Sequence, residues 1–219
     1  PYLGALVGRY RGRIARARFS LDGRAVVLAA NNGRNHIAGG SVGFDKRLWT
    51  VEQASATGAV LSYVSPDGEE GFPGALSVRV GYALSEDDAL AISYEATSDA
   101  PTVINLTNHS YFNLAGEGSG SIEGHILTID SERVIEIDDE LIPTGRFLAV
   151  EGTPLDFRRP RPIGQEIRSN HPLTRFARGY DCSYVLRAGH GLREVAKVVE
   201  PESGRCLVVE TTEPSLAFY

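Results

Sequence analysis

An all-β fold is predicted by three observations. Short runs in which apolar and polar residues alternate recur along the chain, turn residues punctuate them at hairpin spacing, and no helix-length amphipathic segment carries convincing caps. Successive side chains of a strand point to opposite faces, so period-two alternation is the mark a half-buried strand leaves in a sequence. Many short strands at this spacing favour a sandwich or barrel over a doubly wound sheet.

Taken in order, Ile14 to Leu21 alternates loosely, turns at Asp22-Gly23 and returns through Ala25 to Leu28. Asp-Gly between two such runs is a hairpin signal. Trp49 to Ser55 and Ala59 to Val64 make a second pair, closed by Pro66-Asp67-Gly68, with further loop at Gly71-Phe72-Pro73-Gly74. Leu76 to Leu84 and Ala89 to Thr97 alternate on either side of the acidic turn Ser85-Glu86-Asp87-Asp88, which extends the pair into a meander. Thr102 to Leu106 reads as the strand that delivers His109, and Gly116 to Gly124 reads as flexible loop. Later strands are expected at Ile126 to Asp130, Ser183 to Arg187, Glu194 to Glu200 and Arg205 to Thr211, with a turn at Pro201 to Gly204. No repeat at a fixed period and no low-complexity tract interrupts this pattern.

The 219 residues are enough for one large β domain, 1–219, with a substantial core. A formal net charge of -6 gives no overall footprint for nucleic acid or an anionic membrane, and a small neutral or cationic partner is easier to accommodate. No apolar run reaches bilayer-spanning length, and the first residues lack the charged-then-apolar order of a secretory signal. Cys182 and Cys206 have neither disulfide-framework nor zinc spacing, so a reducing, cytoplasmic setting is the simplest expectation. The chain begins at Pro1 and contains no methionine, which is expected of a processed chain or an internal segment.

The stretch Asn105-Leu-Thr-Asn-His-Ser-Tyr-Phe-Asn-Leu-Ala-Gly116 sets one imidazole, His109, among amide and hydroxyl side chains. Histidine titrates nearest neutrality, so held at a strand end it is a natural proton donor; equally, it could be a structural histidine that satisfies a neighbouring carbonyl. Other features read as ordinary structure. Gly116 to Gly120 lacks the Lys-Ser/Thr of a phosphate loop, and Glu136, Asp138, Asp139 and Glu140 lack the spacing of a calcium loop. The sequons at Asn105 and Asn108 fall inside the suspected site and read as coincidence. His125, His171 and His190 sit near turn residues and need no special role, and linear spacing identifies no glycosidase carboxylate pair.

Eight blocks in a fixed order carry a resemblance over essentially the whole chain. They are Gly8 to Ile14, Asn31 to Gly40, Gly43 to Trp49, Asn105 to Gly116, Leu141 to Gly145, Gly152 to Arg158, Gly179 to Asp181 and Thr211 to Tyr219. Together they resemble the aldose 1-epimerase (galactose mutarotase) family. The resemblance implies a twisted antiparallel β-sandwich of the supersandwich type with a sugar cleft. It also implies interconversion of the α and β anomers of free hexoses such as galactose or glucose, with no metal and no cofactor.

That chemistry protonates the ring oxygen while a base takes the proton of the anomeric hydroxyl, so an acid and a base are needed on opposite sides of the anomeric centre. By resemblance His109 is the acid, Arg13 directs hydrogen bonds at sugar oxygens, and Asp181 accepts from sugar hydroxyls. Departures accompany the match. Gly12 stands where the family has Asn, Ala38 where it has a substrate-binding His, Cys182-Ser183 where it has His-Asn, and Ala217 where it has Gln. His36, two residues before Ala38, is a substitute candidate for the lost histidine. The family's glutamate base matches no residue here and is expected outside the given chain, which is expected to lack N- and C-terminal portions of the family's length. A catalytically degenerate sugar-binding relative and a hexose-6-phosphate epimerase, with Arg175 and Arg178 as spare cations, are the alternative readings. The sequence does not indicate the oligomeric state.

Overall fold

The computed structural model describes residues 2–219. It is all-β and antiparallel, with a single short α-helix among the described residues, and it divides into two compact units, 1–111 and 112–219.

The first unit is organised around a meander. Its strands are β1 (Leu6–Val7), β2 (Arg18–Leu21), β3 (Arg24–Val27), β4 (Thr50–Ala54), β5 (Gly58–Ser65), β6 (Leu76–Leu84), β7 (Leu90–Ser98) and β8 (Thr107–Asn108). The β2–β3 hairpin turns at Asp22 and Gly23, both at positive φ (49° and 77°), which is the type I′ geometry that matches strand twist. Strands β4 to β7 form one sheet in sequence order, with β6 in register with β7 from Leu76↔Ser98 to Leu84↔Leu90. Alternation along β6 puts Leu76, Val78 and Val80 on one face, where they are buried with Phe44, while Ser77 and Arg79 face solvent. Each fully buried large apolar side chain contributes about 1.5–3 kcal/mol.

The second unit contains β9 (Ile126–Ile129), β10 (Arg133–Ile137), β11 (Pro143–Ala149), β12 (Arg161–Pro162), β13 (Cys182–Val185), β14 (Arg193–Val199), β15 (Cys206–Thr211) and β16 (Ser215–Phe218). They form two four-stranded sheets, β11-β10-β13-β16 and β12-β9-β14-β15. One apolar cluster takes residues from both, including Val134 and Tyr184 of the first sheet and Leu127, Ile129 and Ala196 of the second, so this unit is itself a small sandwich.

Three sequence expectations need correction. Thr102 to Leu106 is not a strand: its one ladder-type contact is a parallel bridge, Asn105↔Tyr10, and the paired residues are Thr107 and Asn108. Strands β10, β11 and β16 escape the alternation pattern. A register shift interrupts β10 between Ile135 and Ile137, and the edge strand β11 opens on Pro143 and contains Gly145, a composition that edges tolerate. A helix also forms, α1 (Pro172–Ala177). Proline occupies its first turn and His171 caps it, Nδ1 accepting from the Leu173 N–H at 3.3 Å. Beyond these three, His125, read near turn residues as needing no special role, is buried, and its Nε2 accepts from the Leu114 N–H at 3.0 Å.

Candidate active site

In the first unit, three segments far apart in sequence are laced together by backbone hydrogen bonds, with residues 9–14 in the middle. On one side Arg11 N–H donates to Asn105 O (2.9 Å) and Asn105 N–H to Arg9 O (3.0 Å). On the other, Ile14 and His36 exchange both bonds at 3.0 Å and Ala38 N–H donates to Arg11 O at 3.3 Å. The segment of Arg13 therefore lies between the stretch at Asn105 that leads to His109 and the loop that carries His36 and Ala38.

His109 follows β8 directly and its backbone is held in both directions, its N–H donating to Ala5 O and its carbonyl accepting from Gly4 N–H, each at 2.9 Å. The residue is half-buried. Its imidazole packs on Tyr111, with ring centroids 5.1 Å apart at 24°, and lies 6.0 Å from Tyr2 at 30°. The neighbouring Asn108 donates to Tyr82 Oη at 3.4 Å and accepts from Ser110 Oγ, so the amide and hydroxyl groups around His109 are tied to each other and to the meander.

The structure places His36 differently from the expectation that it contacts a sugar. Its ring has no exposed surface, meets Phe72 edge-on at 5.2 Å, and places Nδ1 2.9 Å from Ala29 O. A carbonyl accepts, so Nδ1 carries the proton; Nε2 has no hydrogen-bond partner among the described residues. Burial pushes the pKa down, against the raising effect of the Ala29 bond, so the ring is held neutral. As placed, His36 anchors the loop from within and offers no ring edge to solvent. Ala38 is also buried, at φ +53°, and the next residue must be glycine: a Cβ on Gly39 would sit 1.7 Å from Gly8 O.

Arg9 is the residue that sequence reading missed. It is 1% exposed, and its guanidinium donates to Pro73 O (3.0 Å), Gly74 O (2.9 Å) and Ser65 Oγ (2.6 Å). Ser65 Oγ in turn donates to Glu69, which also accepts from Tyr63 Oη at 2.7 Å and pairs with Arg47 at 2.8 Å. Burial, then the bond to Glu69, pushes the Tyr63 hydroxyl up to about 12. Burial likewise lowers the Arg9 pKa, opposed by Glu69 and Asp67. These partners lie 56 to 65 residues along the chain, so no local signal separates Arg9 from Arg11 and Arg13.

Asp181 belongs to the second unit, one residue before β13. In that strand Cys182 and Tyr184 enter the core, which directs Asp181 and Ser183 to the opposite face. Two of the family departures now separate. Cys182 is a core residue whose thiol burial pushes up to about 12, whereas Ser183 and Ala217 share the non-core face and stand opposite each other in register. Among the described residues no group of three His, Cys, Asp or Glu side chains could hold a metal ion, and no helix is long and apolar enough to cross a membrane.

Comparison with known proteins bears on the whole chain. The family profile described as Aldose 1-epimerase matches residues 1–219. The sequence is 45% identical over 219 residues to the galactose mutarotase of Bos taurus, covering 62% of that protein, and 39% identical to the aldose 1-epimerase of Escherichia coli (strain K12), covering 63%. The chain thus spans about 62% of the length of the curated relatives it matches. Among solved structures it is similar to a galactose 1-epimerase from Lactobacillus acidophilus NCFM, with a TM-score of 0.88 at 29% identity, covering 100% of this chain and 64% of that one. A GalM/aldose epimerase homologue from C. elegans matches with the same TM-score at 27% identity over 99% of this chain and 64% of the other. With the profile match unbroken over residues 1–219 and the likeness in fold to these solved structures, the chain belongs to the aldose 1-epimerase family.

Proposed function

We propose that residues 1–219 carry the acid half of an aldose 1-epimerase, an isomerase that interconverts the α and β anomers of a free hexose such as galactose or glucose. The observation that carries this reading is His109: a half-buried imidazole on a backbone clamped in both directions, on a segment joined through Asn105 to that of Arg13. His109 protonates the ring oxygen as the hemiacetal opens and takes the proton back when the aldehyde closes on its other face. Arg13 directs its donors at sugar oxygens, and Asp181 accepts from sugar hydroxyls. No residue of 1–219 is assigned the role of base. His36 supports the site through Ala29 and Ile14, as an anchor of the loop. The reading takes residues 1–219 as one epimerase domain, supported by the unbroken family match, and needs no cofactor. Two free cysteines, Cys182 and Cys206, support a cytoplasmic setting.

Polarimetry tests the proposal. The complete gene product carrying these residues accelerates the optical-rotation change of freshly dissolved α-galactose or α-glucose, and His109→Ala abolishes the acceleration. Removal of a general acid costs about 10²–10⁴-fold in rate. Saturable sugar binding with no acceleration would instead identify a non-enzymatic sugar-binding relative, the outcome that the small residues Ser183 and Ala217 would then explain.

A further inference from the structure

Leu114, in the last turn of the stretch that holds His109, has both polar groups of its backbone taken by side chains of the second unit. Its N–H donates to His125 Nε2 at 3.0 Å, and its carbonyl accepts from Arg205 at 2.9 Å. His125 stands 11 residues further along, so its bond ties together the two ends of a compact surface loop, 114–125. Between those ends the loop bonds to itself. Asn113 Nδ2 donates to Gly120 O at 3.2 Å, Ala115 N–H to Asn113 Oδ1 at 3.1 Å and Ser119 Oγ to Gly116 O at 2.6 Å. Gly116, Gly118 and Gly120 all take positive φ, with nothing within 4 Å of a Cβ built on any of them, so the tip meets no neighbour there. Glu123 secures the second half, its carbonyl accepting from Gly164 N–H at 2.8 Å and its carboxylate pairing with Arg168 at 2.5 Å. The first half is held to the rest of the unit at Leu114.

We infer that His125 is a pH-sensitive clasp for this loop, closed while its imidazole is neutral and opened by protonation. A backbone N–H only donates, so Nε2 is unprotonated and the proton of the neutral ring sits on Nδ1. A second proton goes to Nε2 and sets two N–H groups against each other, which ends the bond to Leu114. Histidine is the side chain that makes this change between about pH 5 and pH 8. The residue is only 3% exposed, so the imidazolium and the released N–H reach water only if the loop moves. Charged groups approach from each element against it. The turn between β14 and β15 supplies Glu200, Arg205 and the exposed Glu202. The Ser203 hydroxyl and the N–H groups of Glu202 and Ser203 bond the Glu200 carboxylate and push its pKa down to about 2, so it stays an anion wherever histidine titrates and favours the second proton. Arg205 opposes that proton and is already engaged at Leu114 O. On the side of β12, Ile163 N–H donates to His125 O at 3.0 Å, and Arg161 is committed to Glu166 at 2.9 Å and Pro154 O at 2.7 Å. The loop itself carries the exposed Glu117 and the paired Glu123. Nothing in the clasp depends on the role of His109.

Hydrogen exchange followed by mass spectrometry tests the clasp in the complete gene product at about pH 8 and about pH 5, with protection expressed relative to the unstructured rate at each pH. In wild type, peptides covering residues 113–121 lose roughly ten-fold in protection at the lower pH, the worth of one hydrogen bond to a buried partner, while β9 and β14 keep theirs. His125→Gln offers an amide oxygen near the position of Nε2 and cannot titrate, so the loop stays protected at both pH values. His125→Leu has no acceptor and shows the low-pH protection at both. Equal wild-type protection at the two pH values overturns the proposal, as does the same loss in His125→Gln, which would assign the titration to another group. A loss that runs equally through β9 and β14 is unfolding of the unit and overturns it too. If the His125 variants do not fold, Glu200→Gln decides: removing the fixed anion moves the wild-type step to lower pH, and an unmoved step excludes His125 as the group that titrates.

Discussion

Two parts of the first unit handle a cationic or potentially cationic side chain in opposite ways. Around Arg9 and His36 the chain buries the group completely, ties the Arg9 terminal nitrogens to acceptors far along the chain and His36 Nδ1 to Ala29 O, and leaves one nitrogen of each side chain without a hydrogen-bond partner among the described residues. Around His109 it commits the backbone instead, packs the ring faces and leaves the residue half exposed. The first arrangement serves structure rather than chemistry, because both groups are cut off from solvent. The second leaves the imidazole half-buried and lets rigid neighbours supply the order. The contrast explains why one unit holds two histidines within reach of the same segment and only one of them reads as an acid.

The largest test of that contrast is a pair of substitutions with opposite signatures. Arg9→Met leaves Ser65 and Glu69 with a buried network missing its cation, and breaking a buried charged network costs about 3–5 kcal/mol. Denaturant unfolding of the variant shows that loss. His109→Ala changes stability by about 1 kcal/mol or less while removing the proposed acid, since a half-exposed side chain has little burial to forfeit. If Arg9→Met is as stable as wild type, the buried network is not the organiser of this unit; if His109→Ala unfolds it, His109 belongs with His36.

How much of this was legible in the sequence follows the same division. His109 stands out as a candidate because its signal is local: a polar dodecapeptide between an apolar run and a glycine loop. Arg13 and Asp181 rest on family pattern alone, whereas the meander is legible from alternation, clearest in β6, where Leu76, Val78 and Val80 are buried and Ser77 and Arg79 exposed. Arg9 could not be read, because what makes it special is a set of acceptors at residues 65–74. The burial of His36 is equally hidden in the sequence: the partner that holds its ring inward is the carbonyl of Ala29, which no spacing reveals. Strand β16 was invisible because four residues are too few to show a period, and its existence depends on β13 lying beside it.

An intermediate effect comes from pH. Burial depresses the pKa of His36 below the ordinary histidine value of 6.5, so below that pH the unfolded chain binds a proton that the folded chain resists. The stability contributed by neutral His36 is full above about pH 6.5 and declines as the pH falls beneath it. Thermal unfolding midpoints followed across that window fall in the wild type. His36→Asn keeps a donor for Ala29 O and cannot titrate, so its midpoint varies less over the same range. An identical slope in the two proteins would mean that the ring is protonated in place and that its burial is not what keeps it neutral.

The smallest and most specific effect is expected at Ala38, where the loop anchored by His36 carries a methyl group at the position of the family's sugar-binding histidine. The backbone there is already left-handed, φ +53°, a region that histidine enters more readily than most residues do. It is also fixed, by the bond from Ala38 N–H to Arg11 O and by Gly39 against Gly8 O, so a new side chain inherits its direction rather than choosing it. Against this stands crowding, because the present methyl is only 3% exposed and added volume at a packed site costs about 1–3 kcal/mol. Ala38→His is therefore expected to lower stability modestly and to tighten galactose binding by the worth of one hydrogen bond, about 0.5–1.5 kcal/mol or a few-fold in Kd by titration calorimetry. Ala38→Leu carries the same crowding without a donor and gains no affinity. If the two variants bind galactose alike, position 38 does not face the sugar, and the half-exposed side of the unit is narrower than the course of residues 9–14 implies.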